Sequence, residues 1–280
     1  MFYKVILWVV LLFIGYNVFL TQYPLQNVGY YTVQEKAEEF VFNDTYYDTI
    51  LVGSSLVGAF GHINVFQGKN FLNLFLVGNS AATGVELIVK SGNIPKVLFV
   101  ETHHLTMGLN KTFIRSVFQG YEIKQFFPAL QSKNKLLPVI FKKLKPTRVL
   151  PTRKNQFYQQ FFDQIMVQKI KEYSSVEDSS VYIQHVKHLE EKLQYLQANG
   201  CKVYLFEVPV EKELAVSKRA VFLRQKNMQI LNSKNYHWIP YDRWRTYRTN
   251  DGIHLLENQS YAYEKFLERY FLWLENRKLP

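Results

Sequence analysis

The chain has 280 residues, 48% hydrophobic and 16% aromatic, enough to bury a substantial core and to exclude intrinsic disorder as its main state. Its 34 Lys and Arg against 23 Asp and Glu leave a formal charge of +11, which suits anionic partners such as lipid headgroups, polyanionic polymers or nucleic acid. One cysteine, Cys201, excludes an intramolecular disulfide and any cysteine-based zinc cluster.

Residues 1–23 are apolar apart from Lys4, with a polar interruption at Asn17. A helix rising about 1.5 Å per residue over this length spans a bilayer core of roughly 30 Å. The run leaves through Val18-Phe19-Leu20-Thr21-Gln22-Tyr23, without the small residues of a signal-peptide cleavage site, and no cysteine follows for lipidation. An uncleaved transmembrane anchor is therefore expected, in preference to a buried helix, because the run has no polar face. Lys4 precedes the span and no Lys or Arg follows until Lys36, so the positive-inside rule puts the N-terminus in the cytoplasm. The rest of the chain is then expected on the periplasmic or extracellular side of the cytoplasmic membrane, which disfavours a nucleic-acid partner.

After a connector expected over 24–46, short apolar runs alternate with helical patterns, as βαβ units require. Five strands are expected, at Thr49 to Gly53, Phe71 to Val77, Lys96 to Glu101, Lys202 to Val208 and Tyr236 to Tyr241. The first four are continuously apolar, the pattern of strands buried on both faces. Helices are expected from Ser80 to Ser91, with Ser80 as cap, from Val181 to Asn199, from Glu211 to about Asn232, and from about Glu257 to Asn276. The fold class that follows is α/β, three-layer α/β/α, with a five-stranded parallel doubly wound sheet over 47–280. Ligands of such sheets bind beyond the carboxyl ends of the strands.

Residues 111–172 interrupt this alternation. They carry thirteen Lys and Arg, among them Lys142, Lys143 and Lys145, against Glu122, Asp163 and Glu172, interleaved with eight Phe. Such a basic aromatic insert suits an anionic membrane surface or a membrane-protein partner, and equally a solvated helical elaboration.

Two short motifs carry the chemistry. Ile50-Leu51-Val52-Gly53-Ser54-Ser55-Leu56 reads as a strand, a glycine-serine turn and a helix start, which exposes a serine hydroxyl beside free N–H groups. Alone, Ser54 or Ser55 is better explained as a helix cap. Near the other end, Asp251-Gly252-Ile253-His254 follows the fifth strand and offers a base and the carboxylate that orients it. In a doubly wound sheet both motifs project from the same edge, and together they favour a catalytic serine. His185 and His188 are three apart on a helix but lack the carboxylates of a metal shell. No metal and no cofactor are called for.

On these motifs the chain resembles the SGNH, or GDSL-like, hydrolase superfamily, from about Tyr47 to Tyr270. It is similar within it to the membrane-anchored branch of teichoic-acid D-alanylation and polysaccharide O-acetylation. Gly53-Ser54-Ser55 stands where the family usually has Gly-Asp-Ser, so the resemblance implies Ser55 as nucleophile, Asp251 as orienter and His254 as base. It implies an oxyanion hole from the backbone N–H groups of Ser55 and Gly78. The family's third donor is an asparagine after the third strand, where this chain has Val100-Glu101-Thr102-His103-His104. His103 is the preferred replacement and Asn79 the other. The activity implied is an O-acyltransferase or esterase acting on a cell-envelope polysaccharide or glycopolymer, with a multispanning membrane-bound O-acyltransferase as partner. A non-catalytic scaffold of the same fold and a lipase or thioesterase are the alternatives.

Overall fold

The computed structural model describes residues 2–23, 32–43, 45–60, 70–135, 156–176, 179–232, 234–242 and 245–276. The chain divides into two compact units, one of Met1–Asp44 with Lys111–Pro151 and one of Thr45–Asn110 with Thr152–Pro280.

The second unit is built on a five-stranded sheet of β1 (Thr49–Gly53), β2 (Phe71–Phe75), β3 (Val97–Glu101), β4 (Lys202–Phe206) and β5 (His237–Trp238), in the order β2-β1-β3-β4-β5. Every pairing is parallel. The order reverses between β1 and β3, so the crevice where doubly wound sheets take ligands lies beyond Gly53 and Glu101. Between the strands run α3 (Ala81–Ser91), α6 (Gln156–Tyr173), α7 (Ser179–Ala198), the short α8 (Lys212–Ala215), α9 (Lys218–Ile230) and, last, α10 (Glu257–Asn276).

Both faces of the sheet are covered, which is why β1 can be apolar throughout. On one face α3 and α7 pack on each other and on the strands. Gly84 lets α3 close on the sheet, because a Cβ there would lie 2.0 Å from the Val52 Cγ2. On the other face Leu51, Phe99, Tyr204 and Phe206 share a core with Tyr263, Leu267 and Phe271, one i, i+4, i+8 stripe of α10. Phe99 and Tyr204 stack at 5.1 Å, and Phe271 meets both edge-on.

Several boundaries differ from expectation. β2 stops at Phe75, because the chain turns through Gly78 at φ +74°. β5 shrinks to two residues, with Pro240 unable to donate a ladder bond two positions on. The helix expected from Glu211 breaks at Val216 and restarts where Ser217 accepts from the Ala220 N–H at 3.2 Å. Ser80 precedes α3 without capping it, since its hydroxyl donates to the Gly108 carbonyl instead.

The first unit contains α1 (Phe2–Gln22), long and apolar enough to cross a membrane and mostly exposed along its length. The stretch 24–46, expected as connector, holds α2 (Val33–Phe42). Its start is a capping box: the Thr32 hydroxyl accepts from the Glu35 N–H at 3.1 Å and Glu35 accepts from the Thr32 N–H at 3.0 Å. The expected insert 111–172 is not one body either. α4 (Lys111–Phe118), α5 (Tyr121–Phe126) and 3-10 turns at Pro128–Leu130 and Ser132–Asn134 belong to the first unit. α6 belongs to the second, whose core it joins through Met166 and Tyr173. Lys142, Lys143 and Lys145 lie outside the described residues.

Candidate active site

Ser55 owes its place to the turn after β1. Gly53 is needed there, because a Cβ would stand 2.8 Å from both Glu101 Cβ and Val57 Cγ2. The two serines then divide the work. Ser54 is buried and caps the turn, its hydroxyl accepting from the Leu56 N–H at 3.3 Å. Ser55 begins a single 3-10 turn, Ser55–Val57, in place of the expected helix, and its Oγ lies 2.8 Å from His254 Nε2.

His254 reaches that position on a loop tied at several points. The Asn250 N–H donates to the His254 carbonyl at 2.7 Å, and Asp251 Oδ1 accepts from the N–H groups of Ile253 and His254 at 3.2 and 2.8 Å. Gly252, at φ +92°, takes a conformation side chains avoid, and a Cβ would meet Met166 Sδ at 2.8 Å. Behind the loop, Glu211 accepts from the Thr249 N–H and hydroxyl, both at 2.8 Å, and the Thr249 hydroxyl accepts from the Gly252 N–H at 2.8 Å.

Asp251 Oδ2 is 2.7 Å from His254 Nδ1. Burial raises the carboxyl's pKa, but the hydrogen bonds from the His254 ring and from the two N–H groups outweigh it and bring the value down to about 2. An ionised Asp251 accepts the Nδ1–H, and that tautomer turns the Nε2 lone pair to the Ser55 hydroxyl. In such a chain the imidazole can take the hydroxyl proton while the carboxylate stabilises the resulting imidazolium.

Ser55 and Gly78 follow the ends of adjacent strands, held together by the Leu76 N–H donating to the Gly53 carbonyl at 2.9 Å. Among the described residues neither the Ser55 nor the Gly78 N–H donates to a protein acceptor. Of the two residues expected as third donor, His103 has Nε2 3.0 Å from the Tyr173 hydroxyl and Nδ1 4.0 Å from Glu207. Burial, then the neighbouring His104 and three cations, hold the His103 ring well below the usual imidazole value and hence neutral. Asn79 is committed to structure: its side chain donates to the Val77 carbonyl at 3.3 Å and accepts from Asn110 at 2.9 Å.

His103 lines a cavity of about 320 Å³ with His104, Tyr173, Glu207, Arg219 and Arg224. Arg224 grips Glu207 through two bonds of 2.7 and 2.6 Å, and Arg219 lies 5.4 Å from the Tyr173 ring centre. His104 stands close enough to His254 and to Glu101 for each to bear on its protonation, although burial is the larger effect and lowers its pKa. Met107, Ala220 and Leu223 also line the cavity, which thus mixes charged, aromatic and aliphatic side chains.

Two carboxylates escaped the motif reading. Glu101, fully buried, accepts from the Ser54 N–H at 3.1 Å, from the His104 N–H at 3.2 Å and from the His103 N–H. One side chain therefore fixes the Ser54-Ser55 turn to the turn after β3. Glu207 follows β4 in the same way. The signal was available: Lys96-Val97-Leu98-Phe99-Val100-Glu101 and Lys202-Val203-Tyr204-Leu205-Phe206-Glu207 are apolar strands that each close on an acid. Glu101→Ala leaves three buried donors unpaired and should cost about 3 kcal/mol or more, read as a lowered urea midpoint at unchanged slope.

His185 Nδ1 contacts the Thr106 carbonyl at 3.1 Å and His188 sits 3.8 Å from Glu191. Among the described residues no group of three or more His, Cys, Asp or Glu is placed to hold a metal ion.

No protein-family model matches the chain, and no curated protein matches it. Among solved structures it is similar to that of a Streptococcus pneumonia protein provisionally named a platelet activating factor, at 12% identity over 85% of this chain and 90% of that one, with a TM-score of 0.43.

Proposed function

We propose that the chain is a membrane-anchored serine O-acyltransferase or esterase, with its α/β unit outside the cytoplasmic membrane. Its substrates would be O-acyl groups of a cell-envelope polysaccharide or glycopolymer. The observation that carries this reading is the continuous contact from Ser55 Oγ through His254 to Asp251, at 2.8 and 2.7 Å. Ser55 Oγ attacks the acyl carbonyl as its proton passes to His254 Nε2, and the N–H groups of Ser55 and Gly78 receive the oxyanion. Collapse breaks the ester bond, His254 returns the proton to the departing alkoxide, and an acyl-Ser55 remains. A sugar hydroxyl, or water, then gives its proton to His254 as it attacks that ester; collapse breaks the bond to Ser55 Oγ, and His254 returns the proton to it, which restores Ser55.

Transfer is favoured over hydrolysis by the apolar α1, which would keep the site beside a membrane-bound acyl source. A multispanning O-acyltransferase is the proposed partner, on the resemblance set out above.

Purified full-length protein in detergent, given 4-nitrophenyl acetate and 4-nitrophenyl octanoate, should release nitrophenol from the acetate with the higher kcat/KM, by about tenfold. De-acetylated envelope oligosaccharide should raise the rate further and become acetylated. A preference for octanoate would turn the reading to a lipase. No release from either ester, with or without the oligosaccharide, would turn it to a scaffold.

A further inference from the structure

We propose that residues Tyr121–Leu130 of the first unit form a second, non-spanning membrane contact, seated beside α1 in the outer leaflet of an anionic bilayer and latched there by Asn17. The inference stands apart from the catalytic reading and concerns α1 and its own neighbours.

Four apolar side chains on this stretch are exposed: Ile123 at 57%, Phe126 at 78%, Phe127 at 39% and Leu130 at 37%. Phe127 adjoins α1, its ring 5.5 Å from that of Phe13. The turn after it is fastened to the same helix, since Asn17 Oδ1 accepts the Ala129 N–H at 3.0 Å and the Tyr16 hydroxyl donates to the Asn134 carbonyl at 2.6 Å. Asn17, which looks like a flaw in an apolar span, is 7% exposed and serves as the attachment point.

The level of the contact can be counted along the helix. Asn17 lies five residues and Phe13 nine residues before the last residue of α1, so they sit about 7 and 13 Å inside its C-terminal end. An amphipathic segment on a bilayer buries its apolar face roughly 5–10 Å into the headgroup and acyl boundary. With α1 spanning, the exposed phenylalanines therefore sit at the boundary between headgroups and acyl chains.

A non-helical turn survives there only if its backbone groups are satisfied. This one meets that demand with side chains. Pro128 has no N–H, and Ala129 gives its N–H to Asn17. The Lys124 carbonyl receives the Gln131 side chain at 3.1 Å, and the Pro128 carbonyl receives Asn134 at 2.9 Å. The Phe127, Leu130, Gln131 and Asn134 N–H groups all reach backbone carbonyls. Flanking charge selects the lipid: Lys124 is paired with the buried Glu38 at 2.8 Å, and over 111–135 Lys111, Arg115, Lys133 and Lys135 still outnumber Glu122, which suits anionic headgroups.

The test uses the full chain in vesicles of phosphatidylcholine with about a third phosphatidylglycerol, a mixture chosen for its anionic surface. The native Cys201 is buried and its thiol is pushed up to about 12, so a maleimide dye reaches only an introduced cysteine. With NBD at Phe126→Cys, emission should shift to the blue of free NBD-cysteine and fall about twofold when shallow nitroxide lipids are included, as expected at interfacial depth. NBD at Leu11→Cys, read with nitroxides placed deep on the acyl chains, reports the span. Water-like, unquenched emission at 126 with quenching at 11 would overturn the proposal. Loss of quenching at both positions would remove the anchor and the proposal together. Adding Asn17→Ala should lower the quenching at 126 and leave that at 11; no change at 126 would overturn the latch.

Discussion

Ser55→Ala should abolish acyl release, lowering kcat by about 10⁴-fold or more while the fold and membrane association persist. The substitution removes one oxygen from a half-buried site and leaves the turn intact, because the cap is made by Ser54 and the anchoring bonds by Glu101. Retention of structure can be read from an unchanged urea midpoint, and the loss from 4-nitrophenyl acetate turnover. The companion Ser54→Ala should do the opposite: lose a cap worth about 1 kcal/mol and keep most of the turnover. If the two variants exchange these phenotypes, the division of roles between the serines is wrong.

Asp251→Asn should lower kcat by about 10³–10⁴-fold with a smaller effect on KM. Asparagine is nearly isosteric, but its amide group would offer a hydrogen to Nδ1, favouring the tautomer with the proton on Nε2. That nitrogen then has no lone pair for the Ser55 hydroxyl. The same variant carries a pH signature. The folded value of Asp251, about 2, lies below its ordinary 3.8, so the ionised carboxylate adds stability that is complete above the ordinary value and is lost as pH falls toward 2. The stability gap between wild type and Asp251→Asn, read from urea midpoints, should be constant above about pH 4.5 and close as the pH drops through this window. A gap that widens as the pH falls below about 4 would contradict a hydrogen-bonded, ionised Asp251.

The frame of this site was legible because long apolar strands and Gly-Ser and Asp-Gly turns announce themselves locally. Val52 and Leu51 read as buried on both faces, and they are, with α3 behind one and α10 behind the other. Placing Ser55 and Asp251-x-x-His254 at one sheet edge needed only the strand order. The misses have physical causes of two kinds. Short-range hydrogen bonds redirected local readings: the Thr32 and Glu35 capping box built a helix in an expected connector, and the Gly108 carbonyl drew Ser80 from its cap. Long-range partners decided the rest. His103 stands where a third oxyanion donor is wanted, and the neighbours of its ring, Tyr173 and Glu207, are distant in sequence. Glu101 was seen only as the end of a strand, since nothing local reveals that its carboxylate receives the backbone of two turns. In the sequence Asn17 is a polar interruption of an apolar run, and its contact with Ala129 is legible only once the chain has folded back on the helix.

Whether Ser55 is an activated nucleophile can be read chemically. The protein is incubated with an activated acetyl ester, quenched in acid, digested and mapped by peptide mass, beside Ser55→Ala and Asp251→Asn. An acetyl group is expected on the peptide holding Ser55, at Ser55 itself, absent from Ser55→Ala and formed far more slowly in Asp251→Asn. Acetylation confined to surface lysines, equal in all three proteins, would contradict an activated Ser55.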